Sequence, residues 1–433
     1  MKTKLFIGNT GERLSILLDD DGMPLTYPNL FVTSMYRNDD QSSSSCQKAL
    51  EHLSYLYEIC NGLDINIEQR LAKGNFLTHE EIKNIAYFTG ITRDASHKKF
   101  NTPSNVVKFK PRKPRLLETA RYAIVAEKEE DKVFWQTKYN RLTVFGRYLS
   151  WLEKYHHAYA ESKTESYFFE LRPAKSEGLT YGEILASLTH KSLDSNERVI
   201  FIDRIRPDYS GNPWIDPDIR MRNYAICMFM YSLGVRLGEC LNVKLDDLVL
   251  RKGQRFVLIN RSPGDPNDPR TNQPRVKTNS RALALTPKLQ VILDTYINEH
   301  RANVENVGQT NFLFVSHRLR NGQVNPLSIS AVEKIFNQLS KVMGFNIYPH
   351  MLRHTWNDRF SEVMDKLISE GKTSEEKSEA DRCQLMGWQP GSMMSLIYSS
   401  RHNQKRAMEL ALNMQDADFD LKESIAYDEE LPF

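Results

Sequence analysis

Apolar and polar positions along the chain change period several times, and each change marks a structural boundary. In the first forty residues the runs KLFI, SILL and NLFVTSMY surround a DDDG turn, which predicts short strands or extended segments. From Ser42 to Cys60 the spacing becomes helical, with Cys46, Leu50, Leu53, Leu56, Tyr57 and Cys60 on one face. Thr78 followed by Glu81 has the form of a capping box and opens a helix from His79 towards Phe88. Asn101 to Pro114 is interrupted by Pro103, Pro111 and Pro114 and reads as a linker or loop. Helical spacing returns from about Glu118 to His156, where Leu142, Phe145, Leu149 and Leu152 form one stripe and Lys138, Arg141 and Arg147 lie off it. Between Ser162 and Thr180 the composition turns mixed and polar, which places a domain boundary near Gly178.

The second half reads as mainly helical with a small sheet. Asp216 to Val235 is a helix with a strongly apolar body. Phe256–Asn260 and Ala282–Leu285 are short apolar runs joined by a Pro/Gly/Asn/Asp-rich stretch, the pattern of a hairpin with a long loop. Phe312–Val315 fits another strand. Ser330 with Glu333 predicts a capped helix through Val342, and Pro349 opens a further helix at an early position where no N–H is needed.

Composition narrows the class. The chain has 433 residues, 40% hydrophobic and 26% charged, which is the profile of a soluble globular protein of two or three domains. A net charge of +3 neither demands nor excludes nucleic acid, but the charge is clustered. Lys98, Lys99, Lys108, Lys110, Arg112, Lys113, Arg115 and Arg121 lie together with Glu118 as their only acid, whereas the tail beyond Met414 is acidic. This suggests a phosphate-facing segment and a segment facing protein or solvent; a solvated loop and a frayed terminus fit as well. The basic helical pattern near Lys138 and Arg141 likewise suits a DNA groove or an ordinary amphipathic pair.

The five cysteines are scattered, with no CxxC pair, and point to a reduced intracellular chain rather than a disulfide or zinc framework. The opening MKTKLFIGNTGERL lacks a signal-peptide core, and the longest apolar stretch, Tyr224–Val235, is too short to span a bilayer. A cytoplasmic protein without membrane contact is expected.

Several polar residues of the second half are candidates for chemistry. His350 and Arg353 lie three apart, on one helical face, where an imidazole and a planar guanidinium make an oxyanion cradle or, read alone, are the spare basic residues of a capped surface helix. No glutamate follows His350 in the manner of a zinc-binding HExxH helix, so no metal site is expected. Arg236 interrupts the apolar segment YSLGVRLGECLNV and must be paired or bind an anion if buried; Glu239 stands three residues on as a partner. Lys277 falls in the turn before the second hairpin strand, where a lysine reaches a cleft as a proton donor or is simply solvated. Trp388 alone reads as core, and Tyr398 alone as an exposed helical tyrosine.

In combination and order these residues resemble the tyrosine recombinase (phage integrase) family. Tyr231-Ser232-Leu233-Gly234-Val235-Arg236-Leu237-Gly238-Glu239 matches its first arginine segment, and Lys277 its hairpin lysine. His350-Met351-Leu352-Arg353-His354-Thr355 is its HxLRHT box, Leu385-Met386-Gly387-Trp388 its LGH/W segment, and Tyr398 its terminal tyrosine. The resemblance covers about residues 180–402, and the helical pattern over 42–160 looks like the family's core-binding domain. Three features depart from the usual pattern: one extra residue between Trp388 and Tyr398, a charged insertion over 362–382, and a long hairpin loop from Arg261 to Arg275.

The resemblance implies a mainly α fold with a small β-sheet. An extended segment (1–41) would precede a helical core-binding domain (42–178), an α+β catalytic domain (179–402) and an acidic tail (403–433) that exchanges between protomers. The two domains would form a C-shaped clamp on DNA. It implies site-specific recombination through a 3′-phosphotyrosyl intermediate on Tyr398, without metal, ATP or cofactor. Arg236, Arg353, His350 and Trp388 would stabilise the phosphate, Lys277 would protonate the leaving oxygen, and Glu239 and His354 would support the site. Lys108, Lys110, Arg112, Lys113, Arg115, Lys138 and Arg141 would bind DNA. Partners would be double-stranded recombination sites, a homotetramer in the synapse formed from free monomers, and accessory recombination proteins. A type IB-like topoisomerase and a catalytically silent sequence-specific DNA-binding protein are the alternatives.

Overall fold

The computed structural model describes residues 1–39, 41–101, 131–159, 161–173, 191–261, 265, 268–274, 276, 278–389, 391, 407–408 and 410–415. The chain divides into two compact units, Met1–Ile184 and Leu185–Phe433.

The first unit opens with an antiparallel hairpin, β1 (Lys2–Ile7) and β2 (Arg13–Leu18), in the register Lys2↔Leu18 to Ile7↔Arg13. The NLFVTSMY run, expected as extended, is instead α1 (Thr26–Val32) continuing into a π-helical turn, Thr33–Arg37. Asn29 decides this locally: its amide accepts from the Leu17 backbone at 2.8 Å and donates to the Leu17 and Leu25 carbonyls at 2.9 and 2.6 Å. That fixes the helix across β2 and lets Phe31 and Val32 enter the core. There follow α2 (Ser43–Gly62), α3 (Ile67–Ala72), α4 (His79–Thr89), α5 (Arg93–Asn101), α6 (Trp135–His156) and α7 (Thr164–Glu170). Both bonds of the Thr78–Glu81 capping box form. Leu50, Leu53 and Leu56 of α2 and the Leu142, Phe145, Leu149, Leu152 stripe of α6 are all fully buried in one core.

Arg141 corrects an expectation. It was placed among the DNA-binding residues because it lies off the leucine stripe, yet it is 9% exposed. Its guanidinium lies 4.4 Å from the Tyr55 ring centroid and donates to the carbonyls of Thr89 and Ile91 at 2.9 and 2.8 Å. Those are the loose carbonyls at the end of α4, so Arg141 serves as a C-terminal cap between two helices. Lys138 is half-buried, with its side chain against Gly90. Lys108, Lys110, Arg112, Lys113 and Arg115 lie outside the described residues.

The second unit is built around α9 (Pro217–Leu233), preceded by α8 (Ser195–Arg204). Ala225, Ile226, Phe229 and Met230 of α9 are fully buried, which accounts for the apolar body of this segment. Then come α10 (Leu237–Asn242) and a three-stranded antiparallel sheet, β3 (Leu248–Arg251), β4 (Gln254–Ile259) and β5 (Arg281–Ala284), in that order. The expected hairpin is β4–β5, with Ile259 opposite Arg281; β3 was not anticipated. Phe312–Val315 makes isolated bridges, Lys244↔Phe312 and Val315↔Pro326, rather than a strand. The unit continues with α11 (Pro287–Thr295), α12 (Ile329–Met343), α13 (Pro349–Ser369) and α14 (Glu375–Met386). Ser328, not Ser330, caps α12, its hydroxyl accepting from the Ala331 backbone.

The two departures that can be followed are both anchored. In the long hairpin loop, Arg270 is buried and donates to the carbonyls of Leu241 and Leu327 at 3.1 and 3.0 Å and to Asn242 Oδ1 at 2.8 Å. The charged stretch 362–382 is the far half of α13, a turn and most of α14, and Arg382 pins it by donating to Ser361 Oγ at 2.9 Å.

Candidate active site

The segment that carries Arg236 begins where α9 stops. Gly234 adopts φ +63, and a Cβ there would come within 2.6 Å of the Trp356 ring, so both the turn and the packing require glycine. Val235 is fully buried, and Arg236 follows at the N-cap of α10 with its side chain 33% exposed. Glu239 caps the same helix, accepting from the Arg236 backbone N–H at 2.9 Å.

Pro349 starts α13 one residue before His350, which is exposed on the first turn. Its ring packs edge-on against His354 at 4.6 Å. Arg353, a turn deeper, is only 1% exposed. One guanidinium nitrogen donates to the Gly234 carbonyl at 2.7 Å and lies 3.8 Å from Glu239. The Trp388 ring centroid is 5.4 Å from the Arg353 guanidinium carbon, within cation–π range. Trp388 is itself buried beside Cys383, Met386 and Trp356.

Two members of this cluster were not singled out from the sequence. Arg281, on β5, donates to Glu239 Oε2 at 2.9 Å, to Thr278 Oγ1 at 3.2 Å and to the Leu385 carbonyl at 2.7 Å. Thr278 donates to Glu239 Oε1 at 2.6 Å. The signal for Arg281 was the alternation R-A-L-A, which turns Arg281 and Leu283 inwards on one strand face. Gly387 (φ +67) lies against this group: a Cβ would meet the Arg281 guanidinium at 2.7 Å and the Asn279 carbonyl at 2.9 Å. The Asn279 N–H donates to the Gly387 carbonyl at 3.0 Å, so the turn before Trp388 is docked on the β5 approach.

Glu239 is thus common to Arg236, Arg281 and Arg353. Burial alone would raise its carboxyl, but Arg281, Arg353 and the Thr278 hydroxyl outweigh it and hold the group down at about 2. Three guanidiniums around a single carboxylate, with an indole beside one of them and an exposed imidazole on the same helix, suit the recognition of an anion with several oxygens. Of the expected site residues, the structure brings together Arg236, Glu239, Arg353 and Trp388, with His350 and His354 on the same helix as Arg353. Lys277 and Tyr398 lie outside the described residues. Among the described residues no group of three or more His, Cys, Asp or Glu is placed to hold a metal ion, and no helix is long and apolar enough to cross a membrane.

A fold of this class, with this set of basic residues, has a counterpart among protein families. Residues 215–365 match the model of the phage integrase family, so this stretch of the second unit is similar to the tyrosine recombinases. Transposase A of transposon Tn554 from Staphylococcus aureus is 30% identical over 144 residues, which is 33% of this chain and 36% of the relative. Tyrosine recombinase XerA of Pyrococcus furiosus is 23% identical over 140 residues, 32% of this chain and 41% of the relative. The matched segment therefore spans well under half the length of these curated relatives. Among solved structures, the XerH site-specific recombinase bound to palindromic difH substrate aligns over 90% of this chain and 94% of its own, with 17% identity and a TM-score of 0.47.

Proposed function

We propose that the protein is a site-specific DNA recombinase that cuts and rejoins strands through a covalent link to Tyr398, without metal, ATP or cofactor. The observation that carries this reading is the arrangement of Arg236 and Arg353 on a shared Glu239, within the stretch that matches the phage integrase family and on the same helix as His350, with Trp388 packed beside Arg353. The Tyr398 hydroxyl gives up its proton to solvent and attacks a phosphodiester; its oxygen bonds to the 3′ phosphate as the bond to the 5′ oxygen breaks. Lys277 gives that leaving oxygen its proton. A partner strand's 5′ hydroxyl later reverses the attack, so the phosphodiester energy is conserved in the enzyme–DNA bond.

In the transition state the non-bridging oxygens gain charge. Arg236 and Arg353 meet it with fixed donors, and His350 and Trp388 add hydrogen bonds, each such donor being worth about 3–4 kcal/mol. His354, whose ring packs on His350, supports that imidazole. Double-stranded recombination sites are the substrate, four protomers form the synapse, and accessory recombination proteins join it. The basic stretch containing Lys108, Lys110, Arg112, Lys113 and Arg115, with Lys138, grips the duplex. The protein would act at the nucleoid. The segment 403–433 docks on a neighbouring protomer: Met408, Leu410, Leu412 and Met414 are exposed apolar side chains within it.

A suicide-substrate assay tests the reading. Nicked duplexes tiled across the DNA on either side of the gene are incubated in EDTA with wild type and Tyr398→Phe. A covalent protein–DNA band that the substitution abolishes is expected. Specific binding without a band from wild type points instead to a silent DNA-binding relative, and relaxation of supercoils without strand exchange to a topoisomerase.

A further inference from the structure

We propose that Arg281 is a positioning residue that occupies the Glu239 carboxylate and thereby keeps the guanidinium of Arg236 turned to the substrate phosphate. This deepens the recombinase reading and rests on it only for the identity of the anion.

The geometry sets up a competition for one carboxylate. Glu239 Oε2 takes the Arg236 backbone N–H and an Arg281 N–H, each at 2.9 Å. Oε1 takes the Thr278 hydroxyl at 2.6 Å and a second Arg281 nitrogen at 3.4 Å. The Arg236 side chain is left with one long contact to Oε1, also 3.4 Å. A carboxylate has about four lone-pair positions, and the Arg236 backbone N–H, the Thr278 hydroxyl and the two Arg281 nitrogens use them. The two arginines differ in the expected way: the Arg281 side chain is 2% exposed and that of Arg236 33%.

Without Arg281, Oε1 becomes available to a guanidinium only three residues away on the same helical turn. A bidentate Arg236–Glu239 pair then forms, and a fork closed on Glu239 is not offered to a phosphate. The same Arg281 side chain holds the Leu385 carbonyl, two residues before the Gly387 turn that presents Trp388. One buried cation therefore sets both the availability of Arg236 and the seat of Trp388.

A merely structural arginine and a competing one give opposite signs in one experiment. The rate at which p-hydroxyphenylglyoxal modifies Arg236 is followed by peptide mass spectrometry in the full chain without DNA. Wild type, Arg281→Met and Arg281→Met/Glu239→Gln are compared. Arg281→Met should slow the modification roughly tenfold, the scale of a coupling between groups in contact, and adding Glu239→Gln should restore it. Covalent adduct formation on a nicked duplex should fall in the single variant and recover in part in the double. Loss of packing alone would loosen the site, speed modification, and make the two losses add; that result, or an unchanged rate, overturns the proposal. Should Arg281→Met not fold, Arg281→Lys replaces it: one ammonium covers one oxygen, so a smaller slowing, again reversed by Glu239→Gln, is required. A wild type that forms no adduct speaks against the recombinase reading, while the modification rates still decide the role of Arg281.

Discussion

Glu239 and Arg281 face each other at 2.9 Å with side chains 1% and 2% exposed, and this pair joins α10 to β5 beneath the candidate active site. Removing one partner of a buried pair leaves the other charge uncompensated. Glu239→Ala should therefore destabilise the second unit by about 3–5 kcal/mol in urea unfolding. A loss below roughly 1 kcal/mol, the worth of a surface pair, would contradict the burial.

The same carboxyl makes stability depend on pH. Its value is depressed from the usual 4.5 to about 2, so the unfolded chain binds a proton where the folded one does not. The stabilisation is fully present above the unfolded value and disappears as pH falls through the folded one. Glu239→Gln should therefore unfold more easily than wild type at neutral pH, with the gap narrowing as pH falls below 4.5 towards 2. A gap constant over that range would show that Glu239 is not held ionised.

Arg236 is more exposed than Arg353, and under the proposed function its loss should touch chemistry more than folding. Arg236→Ala should lower the rate of covalent adduct formation by roughly 10²–10³, the cost of one oxyanion donor, with little change in melting temperature. An adduct rate within threefold of wild type would remove Arg236 from the site.

Gly387 tests how tightly the Trp388 turn must sit. Its φ of +67 and the 2.7 Å approach to Arg281 leave no room for a methyl group. Gly387→Ala should cost about 1–2 kcal/mol from backbone conformation alone, and more from the contact. Adduct formation should suffer while DNA affinity, measured by anisotropy, stays near wild type.

In the first unit, Arg141→Met should lower stability by about 1–3 kcal/mol, because the buried Thr89 carbonyl loses its Arg141 donor and the Ile91 carbonyl keeps only the 3.3 Å contact from the Tyr55 hydroxyl. The salt dependence of DNA binding should not change, since a residue that meets no phosphate releases no counterions. A shallower salt slope would return Arg141 to the DNA-binding set.

What the sequence made legible were features with a local cause. The capping box at Thr78, the apolar body of α9 and the β4–β5 hairpin all follow from spacing within a few residues. The motif residues Arg236, Glu239, Arg353 and Trp388, picked out by their order along the chain, meet in space. What it hid were effects of distant partners. NLFVTSMY has strand-like composition, yet Asn29 finds carbonyls on β2 and the segment coils. Arg141 looked like a surface cation until Tyr55 and the end of α4 claimed it. Arg281 sat four residues past the lysine that drew attention, and its importance lies in a carboxylate 42 positions earlier.

Several buried guanidiniums in the second unit close on main-chain oxygens: Arg353 on Gly234, Arg270 on Leu241 and Leu327, Arg301 on Phe312 and Thr310. A carbonyl is the same group whatever side chain stands beside it. Neighbouring residues can therefore drift in identity without disturbing these arginines, provided the path of the chain is kept. These contacts therefore depend on the trace of the backbone and on a few charged heads, and not on the identity of the side chains beside them.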